Sequence, residues 1–181
     1  MKKNITLNSN SSIFLLGMMG SGKTSLGKKL AKLIGYDFLD LDNYICKKTN
    51  VSINLIFEYE GEPGFRKREN KALKEIIDTP KTIIATGGGV VQLKENRDLL
   101  TDKYCLFLNS SIQRILEKTR KSQKRPLLNN LNFSEKRAVI ENLFKQRHPH
   151  YSKLATHTII PMGDDRMILE QMKKVIDQDL T

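Results

Sequence analysis

The segment Gly17-Met-Met-Gly-Ser-Gly-Lys23-Thr24 holds the most specific chemical signal in the sequence. It satisfies G-x-x-x-x-G-K-[ST] at every fixed position and stands between a short apolar run and a helical pattern, as a phosphate loop requires. Glycines let the backbone bend so that successive N–H groups point inward at an anion. The helix N-terminus behind them adds about half an elementary positive charge. Gly20, Ser21, Gly22, Lys23, Thr24 and Ser25 are therefore assigned to a nucleoside triphosphate. Lys23 bridges the outer phosphates and the Thr24 hydroxyl holds Mg²⁺. Such a loop names the phosphate donor and leaves the acceptor open.

Further along, Asp40-Leu-Asp42 falls at the C-terminal end of a strand pattern, where ligands bind in open α/β sheets. Two carboxylates two residues apart on a strand end point the same way. One can serve Mg²⁺ through water, and the other can orient or deprotonate an acceptor hydroxyl. Asp42 could equally cap a helix starting near Asn43. In Phe65-Arg-Lys-Arg-Glu69, Arg66 and Glu69 stand three apart on a helical pattern and can pair, making the arginine a preoriented fork for a carboxylate. Lys67 and Arg68 read as solvated surface. Gly87-Gly88-Gly89 after an apolar strand requires a close backbone approach, read as contact with substrate. Arg125, inside a basic loop-like stretch, suits a lid that closes on the transferring phosphoryl group and excludes water. Arg147 follows on a helix with Leu143, Phe144 and Tyr151.

The elements that must carry these residues alternate. Strand patterns cover Ser12–Leu16, Tyr36–Leu39, Thr82–Thr86, Tyr104–Leu108 and Thr156–Ile160, with helical patterns from Thr24, Gln92 and Asp165. Such alternation indicates βαβ units and a mainly parallel sheet between helical layers, an α/β fold. Residues 1–181 form one domain with two insertions, a helical one at about 43–78 and a basic one at about 118–132. There is no internal repeat, heptad array or dividing linker.

Composition narrows the classes. The chain has 181 residues, 39% hydrophobic, and no apolar stretch of the roughly 18–20 residues that a membrane span needs. Two cysteines exclude a disulfide framework. Met1–Ser12 is polar, without the apolar centre of a signal peptide, so the expected setting is the cytoplasm. Net charge is +11, and the stretch from Gln113 to Lys153 has eleven basic residues against three acidic ones, most of that surplus. Such an excess fits nucleic acid, anionic lipid or a phosphorylated small substrate, and its concentration alone does not name the anion. Only Phe133 interrupts it between Gln113 and Leu143, so the aromatic stacking platforms of a nucleic-acid binder are lacking. His148, His150 and His157 are given no metal role.

In this order the motifs resemble the shikimate kinases, a branch of the nucleoside-monophosphate-kinase-like P-loop proteins. The resemblance runs from about Ile13 to Ala155 and rests on G-M-M-G-S-G-K-T, F-L-D-L-D, S-I-N-L-I-F-E-Y-E-G-E-P-G-F-R-K-R-E, A-T-G-G-G, R-P-L-L and R-H-P-H-Y-S-K-L-A. It implies a three-layer sandwich on a five-stranded parallel sheet of order 2-3-1-4-5, and ATP-dependent phosphorylation of the shikimate 3-hydroxyl. It further implies that Asp40 reaches Mg²⁺ through water and that Asp42 binds the substrate hydroxyls. Arg66 and Arg147 would hold the substrate carboxylate, with Phe65 as pocket wall, Glu69 as ion-pair partner and Gly88 as a further contact. Arg125 matches the lid arginine. The catalytic set is then Lys23, Asp42 and Arg125, and the substrate set adds Gly87 and Gly89. One departure concerns adenine: the family's stacking arginine falls at Lys118 here, leaving Lys118, Arg120 or the loop near Pro161 for that contact.

The expectation is a monomeric enzyme with ATP and shikimate as substrates, Mg²⁺ as cofactor, and neither nucleic acid nor membrane as partner. A kinase of another hydroxylated acid such as gluconate, and a nucleic-acid-binding P-loop protein, are the rival readings.

Overall fold

The computed structural model describes residues 5, 7–8, 10–120 and 126–180. Strand β1 (Ile13–Leu16) is apolar throughout and buried on both faces, as the central strand of a parallel sheet must be. It lies between β3 (Thr82–Ala85) and β4 (Tyr104–Leu108), with Leu15 beside Ala85 and Leu106. β2 (Asp37–Asp40) and β5 (His157–Ile159) form the edges, giving five parallel strands in the order β2-β3-β1-β4-β5.

Alternate residues of β1 face opposite layers, because side chains switch sides at every step along a strand. Ile13 and Leu15 pack with Leu26 and Leu30 of α1 (Lys23–Ile34) and with Ile168, Met172 and Ile176 of α7 (Asp165–Asp179). Phe14 and Leu16 pack on the other side with α2 (Leu41–Thr49), α3 (Ile53–Ile76), α5 (Ile112–Thr119) and α6 (Phe133–Leu154). The short α4 (Lys94–Leu100) contributes Leu100 to that second core. Burying each such large apolar side chain contributes about 1.5–3 kcal/mol, and the loops at the carboxyl edge of the sheet start from these buried strands.

The helical insertion differs in detail from the sequence pattern. It begins at Leu41 and divides into α2 and α3, with Asn50 between them at φ 53°. Strand β2 ends at Asp40, and the Asp40 carboxylate accepts from the Asn43 N–H at 3.1 Å, so Asp40 and not Asp42 caps the helix. Inside α3, Gly61 has φ 67° and ψ −178°, a conformation nearly exclusive to glycine, which breaks the helix just before Glu62 and Pro63. In the basic insertion, Lys118 and Thr119 close α5, and Pro126–Leu128 make a single 3-10 turn. Asn132 and Glu135 form a capping box that starts α6. Arg125, with Lys121 and Lys124, lies outside the described residues.

Candidate active site

The segments that follow the carboxyl ends of β1, β2 and β3, two loops and a direct strand-to-helix junction, meet there. The first is the phosphate loop. Gly20 and Gly22 hold φ of 76° and 97°, so the turn into α1 is open only to glycine. Within this turn the Lys23 ammonium donates to the carbonyls of Gly17 at 2.7 Å and Met18 at 3.0 Å. Ser21 is buried in the loop, while the Ser25 hydroxyl turns back to the Gly22 carbonyl. Gly20 abuts α5: a β-carbon there would fall 2.9 Å from the Thr119 methyl and 3.5 Å from Cβ of Lys118. That places the end of α5 against the loop. Nearby, a hydrogen bond from Lys29 holds Asp165, in the first turn of α7, below its ordinary carboxylate range, with Lys118 and Arg114 adding to the pull.

The junction of β2 with α2 separates the two aspartates. Asp40 ends β2, and its Oδ2 accepts from the Thr24 hydroxyl at 2.7 Å. Asp42 sits in the first turn of α2 and faces the glycine triplet instead. The expected strand-end pair therefore does not exist as such. The chain turns helical at Leu41, and a helical step of about 100° replaces the alternation of a strand.

The other loop, Gly87-Gly88-Gly89, is crowded by the protein's own groups. A β-carbon on Gly87 would lie 2.5 Å from Glu69 Oε1 and 3.0 Å from Asp42 Oδ1. On Gly88 it would lie 3.0 Å from the Met19 backbone nitrogen. On Gly89 it would overlap the Arg66 guanidinium. None of the three has a positive φ, so space rather than conformational freedom demands glycine here. The close approach read from the sequence as substrate contact is, in this structure, an approach to Asp42, Arg66, Glu69 and the phosphate loop.

Arg66 and Arg147 converge beside this loop. Arg66 Nη1 donates to Glu69 Oε2 at 2.6 Å, while Nε and Nη2 donate to Glu62 Oε1 at 3.2 and 3.1 Å. Phe65 lies beside it, with the guanidinium carbon 5.0 Å from its ring centre, and packs tilted by 36° on Phe57 at 4.9 Å. Burial pulls the Arg66 guanidinium down, but Glu69 and Glu62 outweigh that and hold it above its ordinary value. Glu69 is wholly buried, and that burial pushes its carboxyl up to about 7 against the pull of Arg66. Arg147, 1% exposed, donates through Nη1 to the Gly88 carbonyl at 3.1 Å. Its Nε and Nη2 have no hydrogen-bond partner among the described residues. The Tyr151 hydroxyl donates to the same Gly88 carbonyl, and its ring stacks on Phe107 at 5.1 Å.

The structure thus gathers Lys23, Thr24, Asp40, Asp42, Phe65, Arg66, Glu69, Gly87–Gly89 and Arg147 at one edge of the sheet. Two participants were missed in the sequence. Glu62 could have been found from its i, i+4 spacing to Arg66. Tyr151 had no local signal, because its partner Gly88 is 63 residues away. Among the described residues no three His, Cys, Asp or Glu side chains gather as a metal-ligating group, and no helix is long and apolar enough to cross a membrane.

Comparisons with known proteins agree on one family. The family model "Shikimate kinase" matches residues 19–178. A shikimate kinase of Psychrobacter sp. (strain PRwf-1) is 43% identical over 170 residues, covering 92% of both chains. The solved structure of shikimate kinase from Acinetobacter baumannii in complex with shikimate superposes with a TM-score of 0.88 at 35% identity, covering 94% of this chain and 95% of that one. A gluconokinase from Sinorhizobium meliloti 1021 has a TM-score of 0.63 at 15% identity, a likeness of fold alone. The three-layer P-loop fold, the site at its carboxyl edge and these matches together mean that the chain belongs to the shikimate kinase family.

Proposed function

We propose that this chain transfers the γ-phosphoryl group of ATP to the 3-hydroxyl of shikimate, giving shikimate 3-phosphate and ADP. The observation that carries this reading is the pair of buried arginines beside the phosphate loop. Arg147 keeps two buried guanidinium nitrogens, Nε and Nη2, without a hydrogen bond, and Arg66 presents its guanidinium next to them. A buried cation with unmet donors favours a ligand carboxylate, which accepts its hydrogen bonds and neutralises its charge at once. Gly88 links these arginines to the donor side, since its carbonyl binds Arg147 while a β-carbon on it would lie only 3.0 Å from the Met19 nitrogen of the phosphate loop.

Catalysis then consists mainly of positioning and charge neutralisation. Arg66 and Arg147 hold the shikimate carboxylate, with Phe65 as the wall behind it. Asp42 orients the attacking hydroxyl and accepts its proton as the new P–O bond forms. Lys23 leaves the loop carbonyls for the outer phosphates, with Gly20, Ser21, Gly22 and Ser25 around them. Arg125 closes over the transferring group. Thr24 and Asp40 offer two adjacent hard oxygen donors at the loop, a fit for Mg²⁺ through the hydroxyl and a water-bridged carboxylate. Bound there, Mg²⁺ would neutralise charge on the β- and γ-phosphates.

The reading covers residues 1–181 as one catalytic unit, with a substrate insertion at about 43–78 and a lid at about 118–132. It takes the protein to be a cytoplasmic monomer whose partners are small molecules and not nucleic acid. The test is a coupled assay of ADP release with shikimate, with gluconate and with neither. Release that depends on shikimate is expected. Release driven equally by gluconate, or no dependence on shikimate from folded protein, overturns the reading.

A further inference from the structure

Glu62 lies against both arginines of the site. Its Oε1 accepts from both Nε and Nη2 of Arg66, the edge of a guanidinium that normally receives a carboxylate in two parallel hydrogen bonds. The same oxygen lies 3.9 Å from Arg147 Nη2, so it stands between the two arginines. We propose that Glu62 is a built-in stand-in for the substrate carboxylate, displaced when the acceptor binds, and that it sets the affinity and anion selectivity of the site. This rests on the shikimate reading above.

Three observations separate Glu62 from Glu69, the other carboxylate on Arg66. Glu69 is wholly buried and cannot leave, whereas the Glu62 side chain is 33% exposed and has a route out. Glu62 follows directly on Gly61, whose φ of 67° interrupts α3, so its backbone is not locked into a continuous helix. The stand-in is also incomplete. One oxygen serves two donors of Arg66, and Nε and Nη2 of Arg147 remain buried without hydrogen bonds. A ligand carboxylate bridging both arginines satisfies donors that Glu62 leaves unmet, which supplies the differential free energy for displacement. A weaker anion that cannot bridge both is left to compete with a tethered carboxylate at high effective concentration.

Glu62→Gln and Glu62→Asp, each first shown to melt cooperatively near the wild type, are compared by direct shikimate binding and by steady-state kinetics. Glu62→Gln should bind shikimate about three- to tenfold more tightly, the size expected for removing one charged hydrogen-bonding competitor. The change should fall on KM and not on kcat. Inhibition by acetate should strengthen in Glu62→Gln, and Glu62→Asp should lie between it and the wild type. An acceptor with hydroxymethyl in place of the carboxylate should show no such gain. Weaker or unchanged shikimate binding in Glu62→Gln, or an equal gain for the hydroxymethyl analogue, overturns the proposal. Failure of the wild type to turn over shikimate would instead indict the underlying reading.

Discussion

Gly89 lies against the Arg66 guanidinium so closely that a β-carbon at position 89 would overlap Nη1, Cζ and Nη2 together. The two residues belong to different elements, the loop after β3 and the helix α3, and each fixes the other's place. Because the overlapped atoms end a long side chain, the fold can yield there while the carboxylate site cannot. Gly89→Ala is therefore expected to melt within a few degrees of the wild type and to raise the shikimate KM by about tenfold or more, the loss of one charge-assisted interaction. Unchanged KM in steady-state kinetics would remove Arg66 from substrate binding.

Asp40 has two partners, the Asn43 N–H through Oδ1 and the Thr24 hydroxyl through Oδ2. Two variants separate them. Asparagine is as good a helix cap as aspartate, while alanine costs about 1 kcal/mol. Asp40→Asn should keep the melting temperature and shift the Mg²⁺ requirement upward; Asp40→Ala should do both harms. If Asp40→Asn needs no more Mg²⁺ than the wild type, Asp40 has no part in holding the ion.

Arg125→Ala should lower kcat by about 10³-fold or more, the range for arginines that neutralise a transferring phosphoryl group. Its circular dichroism and melting curve should match the wild type, and shikimate binding should persist. Near-normal turnover would contradict the lid role.

Glu69 yields a pH prediction. Burial raises its carboxyl from an ordinary 4.5 to about 7, so between those values the folded protein holds a proton that the unfolded chain has lost. Stability from this group is full below pH 4.5 and disappears as pH rises through about 7. Glu69→Gln cannot titrate. Its melting temperature relative to the wild type should therefore move in the variant's favour from about pH 5 to about pH 8. Parallel melting curves across that range would show that the carboxyl titrates normally.

The phosphate loop, the five strands and the alternation of elements were legible in the sequence because each depends on local spacing. A glycine at a left-handed position or four apolar residues in a row mean the same thing wherever the chain goes. Arg66 with Glu69 was legible for the same reason, being three apart on one helix. Asp40 and Asp42 were half legible: their place at the sheet edge was right, but the turn into α2 at Leu41 sends them to different partners.

Tertiary structure alone decided the rest. Only packing shows that Gly87, Gly88 and Gly89 make room for Glu69 with Asp42, for the phosphate loop, and for Arg66 in turn. Arg147 meets the glycine loop 59 residues before it, and Tyr151 reaches the same carbonyl from one helical turn further. Local sequence fixes which groups can ionise, donate or bend. Which buried donors go unmet depends on what every distant segment leaves uncovered, and here those donors are Nε and Nη2 of Arg147.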